Sequence, residues 1–89
     1  MPRYRDVWGD EPKAYRDSVP MHVQQQLDQR VAELLEDPRT RATFFPGLER
    51  DDWITSYGPN LEGSIMYSVR DEPIPTVGIL RVSYMGPLT

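Results

Sequence analysis

The chain has 89 residues, 38% hydrophobic and 27% charged, with a formal net charge of −4 and no cysteine. That length supports a single domain, residues 1–89, built on one small core, and the missing cysteines exclude disulfides, thiolate zinc sites and cysteine nucleophiles. The acidic balance argues against binding that rests mainly on phosphate contacts, which normally calls for a basic field.

No run approaches the ~18 apolar residues of a membrane span, and the opening MPRYRDVWGDEP lacks the apolar stretch of a signal peptide. The expectation is a soluble protein of the reducing cytoplasm that does not contact a membrane. Nine of the ten basic residues are arginine and one, Lys13, is lysine. A GC-rich genome explains that bias more simply than guanidinium recognition does.

In chain order, residues 4–8 (YRDVW) suit a short edge strand with Tyr4, Asp6 and Trp8 on one side. Gly9 breaks it. Asp10 is placed to cap a helix over residues 11–18, with Pro12 near its first position, where a missing N–H costs nothing. Pro20 then opens the clearest element, a helix over residues 21–36. Its Val23, Leu27, Val31, Leu34 and Leu35 recur at i, i+4, i+8, i+11 and i+12 and form one apolar stripe. Asp37-Pro38 ends it, because proline disfavours the helical region for the residue before it. The next dozen residues, containing Phe44, Phe45, Pro46 and Gly47, read as a loop whose aromatics plug the end of the core.

From Asp52 the period becomes two. Trp53, Thr55 and Tyr57 share one side of a strand, and Gly58-Pro59-Asn60 turns the chain. A second strand follows over residues 64–69, with Ile65, Tyr67 and Val69 on one face and Ser64, Met66 and Ser68 on the other. Arg70-Asp71-Glu72-Pro73 turns again, and residues 76–84 (TVGILRVSY) form the most apolar strand. Regular alternation puts Arg81 with Ile79 and Ser83, opposite Leu80, Val82 and Tyr84. The sum is an α+β fold, two N-terminal helices packed on a small antiparallel sheet of three to four strands.

Chemistry-bearing residues are sparse. His22 is the single histidine, and its place in the first turn of the long helix suits a surface residue. Asp51-Asp52 and Asp71-Glu72 read as solvated turn charges. One histidine with scattered carboxylates does not make a metal site, and the singly dispersed glycines make no phosphate loop, so no metal or cofactor is expected. The arginines stand out: Arg39 and Arg41 after the long helix, Arg50 before the second strand, Arg70 in a turn, and Arg81 within an apolar strand. An isolated charge is costly to bury, so Arg81 marks the exposed sheet face.

VQQQLDQRVAELLEDPR, the Pro46-Gly47-Leu48 step, the strand opening on Trp53, GSIMYSVRDE and the apolar strand ending VSYMG together resemble the RelE/ParE superfamily of toxins from bacterial type II toxin–antitoxin modules. The resemblance spans residues 4–85. It implies an antitoxin partner, and RelE-type members cut messenger RNA on the ribosome with cationic residues of the exposed sheet face. The chain departs from that pattern. Ser64 stands where an arginine is usual, Ile54 and Ser56 where lysines are usual, and Ser83-Tyr84-Met85 replaces a basic cluster. What the resemblance leaves for catalysis is Arg81, Tyr84 and an arginine from Arg70 or Arg50. The expected function is thus a toxin-like component acting through protein–protein binding and catalytically degenerate, as ParE-type members inhibit DNA gyrase without a ribonuclease site. The alternatives are a ribosome-dependent mRNA endoribonuclease with a rearranged site, and a non-toxin interaction module reusing the fold.

Overall fold

The computed structural model describes residues 3–39, the backbone of 43–44, and residues 51–86. The elements run β1 (Arg5–Trp8), α1 (Asp10–Ser18), α2 (Met21–Glu36), β2 (Thr43–Phe44), β3 (Asp52–Tyr57), β4 (Gly63–Arg70) and β5 (Thr76–Tyr84). The fold is α+β, with two helices on one face of a sheet ordered β1-β5-β4-β3-β2.

Two features go beyond the sequence-based expectation. The sheet has a fifth, two-residue strand, β2, inside the stretch read as a loop, where Thr43 pairs with Ile54 and Phe44 with Trp53. The sheet is also mixed: β3, β4 and β5 pair antiparallel, while β1 joins β5 in parallel. The chain between β1 and β5 includes both helices, so β1 can return beside the last strand in either direction; no tight turn forces an antiparallel pair. Phe45 and the side chain of Phe44, the two aromatics read as a core plug, lie outside the described residues, as do Pro46 and Gly47.

The stripe of α2 is the centre of the core. Val23, Leu27 and Leu34 have no exposed surface and Val31 is 4% exposed, and they meet Tyr57, Ile65, Tyr67, Val69, Val77, Ile79 and Val82 from the sheet. Fully burying such a side chain contributes about 1.5–3 kcal/mol. Leu35, at the stripe's margin, is only partly buried. Tyr67 donates its hydroxyl to the carbonyl of Pro38, and Tyr4, just ahead of β1, is 5% exposed and takes a backbone bond from its N–H to Leu35 O at 2.9 Å. α1 begins at Asp10, with Gly9 as N-cap and no side-chain cap bond, so Asp10 acts through its charge in the first turn and not as the cap.

The alternation of β4 appears as expected, Ile65, Tyr67 and Val69 buried and Ser64, Met66 and Ser68 half-buried on the outer face. In β5 the regular alternation breaks. Met66 pairs with Arg81 but Tyr67 pairs with Ile79, so Leu80 is an extra residue in a β-bulge. Ile79 therefore joins Val77 and Val82 in the core, while Leu80 and Arg81 are both exposed. Placing Ile79 with Arg81 and Leu80 with Val82, as strict alternation does, is corrected by that one residue.

Candidate functional site

The helices cover one face of the sheet, and no described helix covers the other, called the open face below. The register lays the open face out in rows. Arg5, Thr76 and Arg70 lie side by side at one end. Val7, Gly78, Ser68 and Asp52 follow, then Leu80 and Arg81 with Met66 and Ile54, and at the other end Ser83, Ser64 and Ser56. Ser64 and Ser83 close a hydroxyl pair at 2.6 Å. The middle row is thus apolar around Arg81, one end is hydroxylated, and the face carries three arginines with Asp52 as its carboxylate among the described residues.

Those arginines differ from the others in their surroundings. Arg16 bonds Asp28 at 2.8 and 2.6 Å, Arg30 lies 3.4 Å from Glu33, and Arg39 is held by Asp51 and Asp71. Arg5, Arg70 and Arg81 are exposed, and no carboxylate is paired with any of them among the described residues. With strands ~4.8 Å apart, Arg5 and Arg70 stand roughly 10 Å apart across β5, and Arg81 lies roughly 15 Å along that strand. Long side chains can bring the first two guanidinium groups to a single anion. Arg70, expected in a turn, is the last residue of β4, which is what puts it in this row.

The face offers cations and hydroxyls and no imidazole. His22 is exposed on α2, in the opposite layer. Asp52, expected to be a solvated turn charge, is 3% exposed and belongs to the second row, with Oδ1 buried and lacking a hydrogen-bond partner.

Tyr84 is on the other side. It shares the core side with Val82, and its ring stacks on Tyr57 with centroids 6.2 Å apart and planes 28° apart. Tyr57 donates its hydroxyl to Ser83 O at 3.0 Å, and burial pushes its phenol well above the usual range. Gly63 admits this ring, since a Cβ there would come within 2.2 Å of it. Of the residues proposed for catalysis, Arg81 and Arg70 share the open face, Tyr84 lies across the sheet from them, and Arg50 lies outside the described residues. Arg5 was missed because only its parallel pairing with β5 reveals its row.

Arg39, the first of the arginines after α2, builds a polar clasp. Its guanidinium bonds Asp51 at 2.9 and 2.5 Å and Asp71 at 3.3 and 3.0 Å. Tyr4 donates its hydroxyl to Asp71 at 2.5 Å, and the Trp53 indole donates to Asp51 at 2.8 Å. The Arg39 guanidinium, then the Tyr4 hydroxyl, hold the Asp71 carboxyl below its usual range. Asp71 adjoins the end of β4 and Asp51 the start of β3, so the clasp fixes the end of the sheet where the Arg5–Arg70 row lies.

The helix side has a concavity of about 540 Å³ between α1, α2 and β1, and a second of about 430 Å³ lies between α2 and the end of β3. Trp8, Val31, Ala32 and Leu35 are the apolar lining of the first, and Asp6, Lys13, Arg16, Asp17 and Asp28 its charged one.

No family model and no curated protein sequence matches the chain. Solved structures do. The isolated E. coli RelE toxin matches with a TM-score of 0.78 at 21% identity, over 94% of this chain and 86% of that one. The RelBE2 toxin–antitoxin complex of Mycobacterium tuberculosis matches at 0.78 with 18% identity, over 94% and 99%. The archaeal RelE–RelB complex of Pyrococcus horikoshii matches at 0.71 with 18% identity, over 94% and 97%. The match extends over nearly the whole length, and the chain has the fold of the RelE toxins.

Proposed function

We propose that the protein is the toxin-like member of a toxin–antitoxin pair, that it works through contacts with other proteins, and that a cognate antitoxin holds it in the bacterial cytoplasm. The fold supports the first part, since two of the matching structures are toxins in complex with their antitoxins. One observation carries the second. Ile54, Ser56 and Ser64, the positions where the resemblance calls for cations, lie on the open face, Ile54 in its middle row and the two serines in its end row. Those three positions therefore offer apolar and hydroxyl side chains where a phosphorane would need cationic stabilisation, and Arg81 is the one cation of the middle row among the described residues.

A second reading has its own observation. Arg5, Arg70 and Arg81 put three guanidinium groups on that same face with no carboxylate partner among the described residues, which suits phosphodiester contacts and the rearranged ribonuclease site. Expression in a bacterial host, alone and beside the product of the neighbouring gene, tests both. Growth arrest relieved by the neighbour, with messenger RNA intact, is the expected result. Ribosome-dependent cleavage lost in Arg81→Ala would replace the binding reading with the nuclease one. Harmless expression would favour reuse of the fold as an interaction module.

A further inference from the structure

The open face is most exposed over its β1–β5–β4 half. Val7 and Leu80 are each 47% exposed, and Arg5, Arg70 and Arg81 are exposed around them. Register sets Val7 beside Gly78, where a Cβ would meet Ser68 Oγ at 2.9 Å, so the surface between Val7 and Leu80 is low. The result is an apolar strip with Arg5 and Arg70 at one end and Arg81 at the other. Asp52, the carboxylate of this face among the described residues, is 3% exposed and belongs to β3, outside this half.

The charge pattern separates the occupants that could cover such a strip. A duplex strand carries one phosphate per ~3.4 Å of axis, so roughly four would pass over the ~15 Å between the cationic ends. Val7, Gly78 and Leu80 lie there and offer them no cation. The chain's net charge of −4 also repels a polyanion from afar. A second copy meeting this one through the same half-face sets arginines against arginines, with no exposed carboxylate among the described residues to separate them. A different protein surface can lay apolar side chains on the strip and carboxylates at its ends. Protein interfaces are commonly built with an apolar centre and a polar rim enriched in arginine, and a guanidinium can hold a carboxylate through two parallel bonds.

We propose that the β1–β5–β4 half of the open face is the docking surface for the protein's target, a partner protein that presents an apolar patch flanked by carboxylates. Val7 and Leu80 seat the apolar patch, Arg5 and Arg70 together hold one carboxylate, and Arg81 holds another roughly 15 Å away. The bulge gives this surface its centre, because strict alternation would turn either Leu80 or Arg81 inward. The proposal rests on the reading of the protein as one that works through protein contacts, and it names the face and the partner's chemistry.

The test uses the purified full chain and a capped helical peptide of leucine and glutamate, compared with a lysine-for-glutamate peptide and a single-stranded oligouridylate. NMR titration is expected to move the backbone amides of Val7, Gly78, Leu80 and Arg81, with the glutamate peptide binding at least about tenfold more tightly than the lysine peptide or the RNA. Arg70→Glu should weaken binding at least about tenfold, whereas Lys13→Glu on α1 alters the net charge equally and should change it less than about twofold. Leu80→Ala should weaken it about fivefold. The map obtained with the unaltered protein stands even if a variant folds poorly. Equal binding of the two peptides, tighter binding of the RNA, shifts confined to the helix layer, concentration-dependent shifts at Val7 and Leu80 in the protein alone, or no binding at millimolar peptide would each overturn the proposal. Peptide binding by a protein that proves harmless in cells would sink the toxin reading and leave the docking face, and growth arrest without peptide binding would do the reverse.

Discussion

At the scale of single residues, the arginines divide by what surrounds them, and the division separates architecture from function. Arg39 clasps Asp51 and Asp71 and reaches the Tyr4 hydroxyl at 3.4 Å, joining segments far apart in sequence. Its side chain is 33% exposed, so solvent screening limits what the clasp contributes, and Arg39→Ala should cost about 1 kcal/mol at neutral pH. Asp71 is part of that contribution. Its folded pKa lies below the unfolded one, so its share is present above the unfolded value and fades as pH falls through the folded one. The penalty of Arg39→Ala should therefore shrink below about pH 4; urea titrations of both proteins at pH 7 and pH 3 check this, and an equal penalty at both would contradict it. Arg81 is exposed and has no ionic partner among the described residues, which suits contacts outside the chain.

At the scale of elements, the bulge in β5 decides which residues the open face presents. With Leu80 left out of the count, Val77, Ile79, Val82 and Tyr84 point inward and Gly78, Arg81 and Ser83 outward in unbroken alternation. Leu80, 47% exposed, is thus the surplus residue. Its deletion should leave a cooperatively folded protein with Arg81 still outward, whereas deleting Arg81 and Val82 together should cost several kcal/mol through the loss of a buried valine. Circular dichroism and thermal unfolding of the two deletions distinguish them. Bulges gather next to functional sites, where they re-aim side chains, and this one sets Leu80 and Arg81 side by side at the centre of the open face.

At the scale of the whole molecule, the two layers divide the charge as well as the core. The helices hold most of the net negative charge, and the open face of the sheet holds three arginines with no carboxylate partner among the described residues. One protein thus offers surfaces of opposite sign, an arrangement suited to more than one partner. The layers are joined through α2, and Leu27, with no exposed surface, sits midway along its stripe. Leu27→Ala should lower stability by about 2–5 kcal/mol, against the roughly 5–15 kcal/mol of a typical domain. A loss below about 0.5 kcal/mol in denaturant unfolding would mean that the stripe does not hold the layers together.

The sequence by itself determined α2, the inward and outward faces of β3 and β4, and the α+β class, because each depends on periodicity read within a few neighbouring residues. It also carried the resemblance whose fold the solved structures bear out. Only tertiary structure decided the parallel return of β1 beside β5, the extra residue at Leu80, the clasp around Arg39, and the seat of Tyr84 against Tyr57 instead of beside Arg81. Each of these depends on a partner tens of residues away. A side chain's neighbours across a sheet are set by register and strand order, and neither leaves a mark in the local alternation of apolar and polar residues.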